Sequence, residues 1–241
     1  MRYLLKILAI IVLLTSSYSL LTAQENPFFN GADQFLRTYV DKSGNVDYKA
    51  IVKNPTLLNK TITQIEEYDS KGNSSDELKA FYTNAYNILV IKQIVERYPI
   101  VGPLAVDGFF DKIKNKIAGE ELTLNQIEKD KNLYVNRDER LHFALVCGAK
   151  GCPPLANFAF TPKNIESQLE DRTRLALNND VFIQVKQDKT EVSQIFSWYK
   201  DDFEKKDVKG IVGYLNKYRK NQIPFDTRIV YYEYDWNLNI Q

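Results

Sequence analysis

The run "SSDELKAFYTNAYNILVIKQIVERYP", residues 74–99, constrains the fold more than any other stretch. Ser74 and Glu77 have the spacing of a capping box, and Pro99 marks the far boundary, so one long helix is predicted between them. Its apolar middle carries Asn84 and Asn87, i and i+3 neighbours, with Thr83 beside them. Burying an unpaired amide costs roughly 1–3 kcal/mol. These side chains must therefore either tie a neighbouring loop's backbone to the helix or form the polar wall of a site.

Further elements follow from periodicity and turn chemistry. Residues 32–40 read as a short amphipathic helix, 43–48 as a turn leading into an extended piece, and 56–68 as a helix with Leu57, Leu58, Ile62 and Ile65 on one face. A hairpin is predicted around Gly119, then a helix through about Leu133 opened by a capping box of Thr123 and Gln126. "HFALV" reads as a short buried strand or as a helix ending at Gly148. A helix is expected over 161–179 with Thr161 as N-cap, a strand over 180–187, helices in "SQIFSWYKDDF" and "VKGIVGYLNKYR", and a β-segment over 227–236. Helices and strands mix without a regular β-α repeat. The expected class is α+β: one domain over 24–241, several helices on a small, mainly antiparallel sheet.

Residues 1–23 read as an export signal, with Arg2 and Lys6 ahead of the apolar run Ile7 to Leu14 and small or polar residues up to Ala23. After it no apolar stretch reaches membrane-spanning length. Basic and acidic residues balance, 32 against 31, with no basic tail and no run of five like charges, which gives no nucleic-acid footprint. The expected location is periplasmic or extracellular.

The only histidine and both cysteines fall in "RLHFALVCGAKGCPPL" (140–155). Three readings compete. In the first, Cys152 is a nucleophile at the start of a short helix over "PPLANF", His142 its base, and Glu128 or Asn84 the group that orients the imidazole, with Asp202 a further candidate. In the second, Cys147 and Cys152 form a disulfide, as two cysteines do in an oxidising compartment. In the third, the three side chains bind zinc. Geometry weighs on the first and third: on a straight strand His142 lies about 16 Å from Cys147. A His142–Cys152 pair then requires the chain to double back through residues 147–152, which Gly148 and Gly151 permit.

"AFYTNAYN", "LTLNQIE", "RLHFALVCGAKGCPPL" and "SQIFSWYKDDF", in this order, closely resemble the domain-of-unknown-function family 547, and "FLRTYVDKSGNVDY" looks like its lead-in. Tyr82 and Thr83 stand where that family typically shows Trp and Ile. The resemblance implies a single domain found in exported bacterial proteins, with Asn84, Asn87, Glu128, His142, Cys147 and Cys152 as the candidate site. The favoured expectation is a thiol-dependent hydrolase, papain-like but circularly permuted, acting on a small peptide amide or thioester. The alternative is a non-catalytic envelope module with a Cys147–Cys152 disulfide and an aromatic-rich binding surface; a zinc hydrolase ranks last. No cofactor is expected, and the partner is a small peptide or small molecule.

Overall fold

The computed structural model describes residues 26–204 and 209–241. Helix α1 (Pro27–Tyr39) starts earlier than its periodicity suggests, because the Asn26 side chain accepts from the Phe28 amide and Pro27 fits the first turn. Helices α2 (Tyr48–Lys53) and α3 (Thr56–Glu66) follow, and all three pack on α4 (Ser75–Val95). Ser74 caps α4 by accepting from the Glu77 amide, but the Glu77 carboxylate bonds the Tyr68 hydroxyl, so the predicted box is half made. From Lys79 to Ile91 every residue of α4 is buried. A helix buried all round is a central one, and other helices of the domain pack around it.

The predicted hairpin is present. Strands β1 (Lys114–Ile117) and β2 (Glu120–Thr123) pair antiparallel, and the two-residue turn places Ala118 and Gly119 at φ 49° and 78°. Two successive left-handed residues match the right-handed twist of the strands. The capping box of Thr123 and Gln126 forms completely and opens helix α5, residues 124–136, whose middle, Ile127–Leu133, widens into a π-helical turn. Such turns bond i to i+5 and gather at functional sites.

"HFALV" is neither strand nor α-helix. Glu139–Phe143 forms a 3₁₀ turn, and 144–148 is irregular backbone. Helix α6 (Ile165–Leu177) begins after Asn164, so Thr161 is not its cap; the 161–164 turn comes between, and the Thr161 amide donates to Gln168 instead. Strands β3 (Ile183–Val185) and β4 (Lys189–Ser193) form an antiparallel pair. The strand expected over 180–187 is thus shorter than its alternation, and β4 has no counterpart in the sequence reading. Helices α7 (Ile195–Trp198), α8 (Lys200–Phe203) and α9 (Gly210–Tyr218) return the chain to β5 (Arg228–Tyr232), which lies parallel to β4. A parallel neighbour needs such a long crossover.

The fold is α+β, as expected; among the described residues five strands form two small sheets, with antiparallel pairing except between β4 and β5. Among the described residues no helix is long and apolar enough to cross a membrane. The proposed export signal, residues 1–23, lies outside the described residues.

Asn84 and Asn87 do what buried amides must. Asn84 donates to the Phe160 carbonyl and accepts from the Phe160 amide, at 2.8 and 2.9 Å. Asn87 donates to the Ala144 carbonyl and accepts from the Val146 amide, both at 2.9 Å. Each side chain substitutes for a strand partner and holds a loop against α4. Replacing either by Ala strands two buried backbone groups, and Asn87→Ala is expected to cost about 2–4 kcal/mol of folding stability. Urea unfolding of the variant checks this; an unchanged midpoint would show the clamp to be dispensable.

Candidate functional site

The irregular segment after the 3₁₀ turn brings the histidine and the cysteines together. Because 144–148 is not a straight strand, the separation of about 16 Å that a strand imposes does not apply. His142, Cys147 and Cys152 line one cavity of about 280 Å³ together with Glu128. The chain doubles back through residues 147–152: the Cys147 and Cys152 Cα atoms are 6.5 Å apart, and the Cys147 amide donates to the Cys152 sulfur at 3.1 Å. Gly148 makes the reversal possible. Its φ is +83°, and a Cβ there would lie 2.6 Å from Ile94 Cδ1 on α4.

The two sulfurs are joined as a disulfide, and among the described residues no free cysteine remains. In this state neither sulfur is a thiolate. Both the nucleophile reading of Cys152 and the zinc reading require that bond to be reduced first. "PPLANF" is irregular rather than helical, so no helix terminus supports a Cys152 thiolate. The Tyr234 hydroxyl donates to the Cys152 sulfur at 3.0 Å and lies 3.4 Å from that of Cys147.

The C-terminal tail fastens this loop. The amides of Lys150 and Gly151 donate to the carbonyls of Asn237 and Asp235, each at 2.8 Å, and the Asn239 amide donates to Gly148. Asn239 is itself buried, accepting from the Tyr48 hydroxyl at 2.7 Å and bonding the Gly44 carbonyl. The tail thereby brings Tyr234 and Trp236 to the cavity.

His142 is oriented by Asp202, neither by Glu128 nor by Asn84: its Nε2 lies 2.8 Å from Asp202 Oδ2. The imidazole side chain is 3% exposed and packs against Tyr199, with centroids 4.1 Å apart, and Phe203. With Nε2 committed to a carboxylate, Nδ1 carries the lone pair of the neutral ring. A break at Tyr199, φ −116° and ψ 36°, splits the expected helix into α7 and α8. That break sends Trp198 and Tyr199 to the cavity and Asp202 to the histidine.

Glu128, on the π turn, accepts from Tyr199 at 2.7 Å and from Tyr86 at 3.1 Å. Burial, reinforced by the Glu128 charge, raises the pKa of both phenols, so they stay protonated donors. Phe110, Trp198 and Trp236 complete the aromatic wall, with the indoles stacked at 5.9 Å and Tyr234 within 5.0 Å of each. Sequence reasoning missed these rings. Their signal was the density of aromatics in "SWY" and "YYEYDW", which periodicity assigns to secondary structure without saying which rings converge.

Residues 70–175 match the model of a family described as "Protein of unknown function, DUF547", so the resemblance read from the motifs is shown over that segment. It contains Asn84, Asn87, Glu128, His142 and both cysteines, whereas Asp202, the tail and the two tryptophans lie beyond it. Comparison with curated proteins and with solved structures found no match.

Gly148→Ala is expected to lose about 1–3 kcal/mol of stability, combining left-handed strain with the clash on Ile94. A thermal melt that leaves this variant level with the parent would contradict the geometry. Iodoacetamide is expected to label neither cysteine before a dithiol reductant is added and both afterwards, read by intact mass. Labelling of the untreated protein would show free thiols in its working state.

Proposed function

We propose that the chain is a non-catalytic small-molecule-binding module, exported to an oxidising compartment, whose cavity is walled by aromatic rings and held in shape by the Cys147–Cys152 disulfide. The observation that carries this reading is the position of the disulfide: it forms part of the lining, under Tyr234, instead of stapling a distant loop. A mostly apolar cavity with a few convergent polar groups is the general form of a ligand site. Disulfides persist where thiols are oxidised, which supports a periplasmic or extracellular location.

The reading is tested by thermal shift against a library of cavity-sized compounds. Ligands are expected to raise the melting temperature of the oxidised protein, and Trp198→Ala to abolish the rise. Trp198 is 47% exposed, so its removal leaves the core intact. If no compound stabilises the protein, or if stabilisation survives in Trp198→Ala, the cavity is not the binding site.

A second reading, the thiol-dependent hydrolase of papain-like style, is favoured by one observation: His142 lines the same cavity as Cys152 and has a carboxylate partner in Asp202. An imidazole oriented by a third group is what a cysteine nucleophile requires. Reduction would release the Cys152 thiol into this surrounding. The reduced protein should then cleave an activated thioester, with the rate lost in Cys152→Ser and lowered by about 10²-fold or more in His142→Ala. Hydrolysis that persists in Cys152→Ser eliminates this reading.

A further inference from the structure

We infer that the ligand of this cavity is an organic cation carrying a substituted or quaternary ammonium group, held against Glu128 within the aromatic wall. This rests on the cavity being a binding site, and it adds the chemistry of what is bound.

The first argument is charge. Among the described residues lining the cavity there is no Lys or Arg; the charge-bearing groups there are the Glu128 carboxylate and the His142 imidazole. Glu128 is stabilised by two neutral phenols, and among the described residues no basic side chain pairs with it. His142 does not offset that charge. If protonated, it is already paired with Asp202; if neutral, it contributes none. In either state the cavity presents an uncompensated negative charge in partly apolar surroundings, where an unpaired ion is costly and an arriving counter-ion is correspondingly favoured. An anionic ligand would meet repulsion from Glu128.

The second argument is the wall. The rings of Phe110, Trp198, Tyr199, Tyr234 and Trp236 line the same space. The negative faces of aromatic rings attract cations, indole most strongly, and the attraction grows when water is excluded. Aromatic side chains together with a carboxylate recognise both halves of an alkylammonium ion, its apolar surface and its charge.

The third argument favours a substituted ammonium over a primary one. Rings and aliphatic side chains make up most of the lining, so the carbon substituents of an alkylated ammonium meet apolar surface there. A primary ammonium brings three donors and is best served where several acceptors converge. A quaternary ammonium needs none. The cavity, about 280 Å³, also lies below the roughly 300–1,000 Å³ of drug-sized sites, which suits a small head group.

The chain has two tryptophans, Trp198 and Trp236, and both line the cavity, so intrinsic fluorescence reports on it directly. Choline and its uncharged carbon isostere, 3,3-dimethyl-1-butanol, are titrated into the oxidised protein. Choline is expected to change the emission saturably and to bind about tenfold more tightly than the isostere or better. Glu128→Gln should remove that preference while leaving isostere binding in place, and Glu128→Asp, which keeps the charge, should retain it. Circular dichroism confirms that each variant folds, and if Gln does not fold, the Asp variant and tetramethylammonium binding to the parent carry the test. Equal or tighter binding of the isostere, or a preference that survives in Glu128→Gln, overturns the inference but leaves the binding-module reading standing. Absence of any choline or tetramethylammonium binding also overturns it. The module reading itself falls only on the thermal-shift outcomes: no compound that stabilises, or stabilisation that survives in Trp198→Ala.

Discussion

Two buried amides hold the site to the core. Asn84 and Asn87 sit on the face of α4 that the loops cover, and each pairs with a backbone N–H and a backbone C=O of chain that has no sheet partner. Irregular backbone at depth is tolerated only when its polar groups are satisfied. Asn87 satisfies residues 144 and 146, between His142 and Cys147, so the segment that supplies the cavity its histidine and its first sulfur is fixed by one side chain one turn of helix from Asn84. An aliphatic residue at either position would fit the hydropathy of the helix and leave the loops without a reason to lie there.

The cavity is then closed from the other side by elements distant in sequence. The tail beyond β5 lies along the 148–151 loop, where hydrogen bonds to Lys150 and Gly151 align Tyr234 and Trp236. The break between α7 and α8 delivers Trp198, Tyr199 and Asp202. Tyr199 joins the two polar groups of the site, since its hydroxyl donates to Glu128 and its ring packs on His142. The disulfide and Tyr234, whose hydroxyl donates to the Cys152 sulfur, line the same cavity. Burial keeps the phenols of Tyr86, Tyr199 and Tyr234 protonated, so each acts as a donor toward the carboxylate or the sulfur. The result is a negative, aromatic, partly enclosed space.

Much of this was legible in the chain. The Ser74 cap, the Thr123–Gln126 capping box and the Gly119 hairpin mark boundaries by local chemistry and lie where that chemistry puts them. Glu77, however, bonds Tyr68 instead of closing its box, and α4 ends at Val95, short of Pro99. The pairing expected of two buried asparagines also followed, because an amide in an apolar helix has few alternatives. Glu128, His142, Cys147 and Cys152 do share one cavity. What misled was the hydrophobicity of "HFALV": an apolar run is compatible with a strand, and the strand geometry set the histidine far from the cysteines. The segment is irregular because Asn87, a side chain 57 residues away from Ala144, supplies its hydrogen bonds. No local pattern announces that. The same holds for β4, whose strand character depends on pairing with β3 and β5.

The sequence by itself determined the α+β class, the central helix with its two obligatory amide pairings, and the residues from which a site could be built. Those follow from short-range rules: periodicity, caps, turns and the cost of an unpaired polar group. Tertiary structure decided that the two sulfurs meet, that Asp202 rather than Glu128 or Asn84 orients the imidazole, and that two tryptophans from separate segments share one cavity with a carboxylate. Which side chains converge depends on how the loops are held against the helix and against the tail. Those contacts span up to 202 residues of chain, as between Gln241 and Tyr39, and their geometry is set by packing that no stretch of sequence encodes alone.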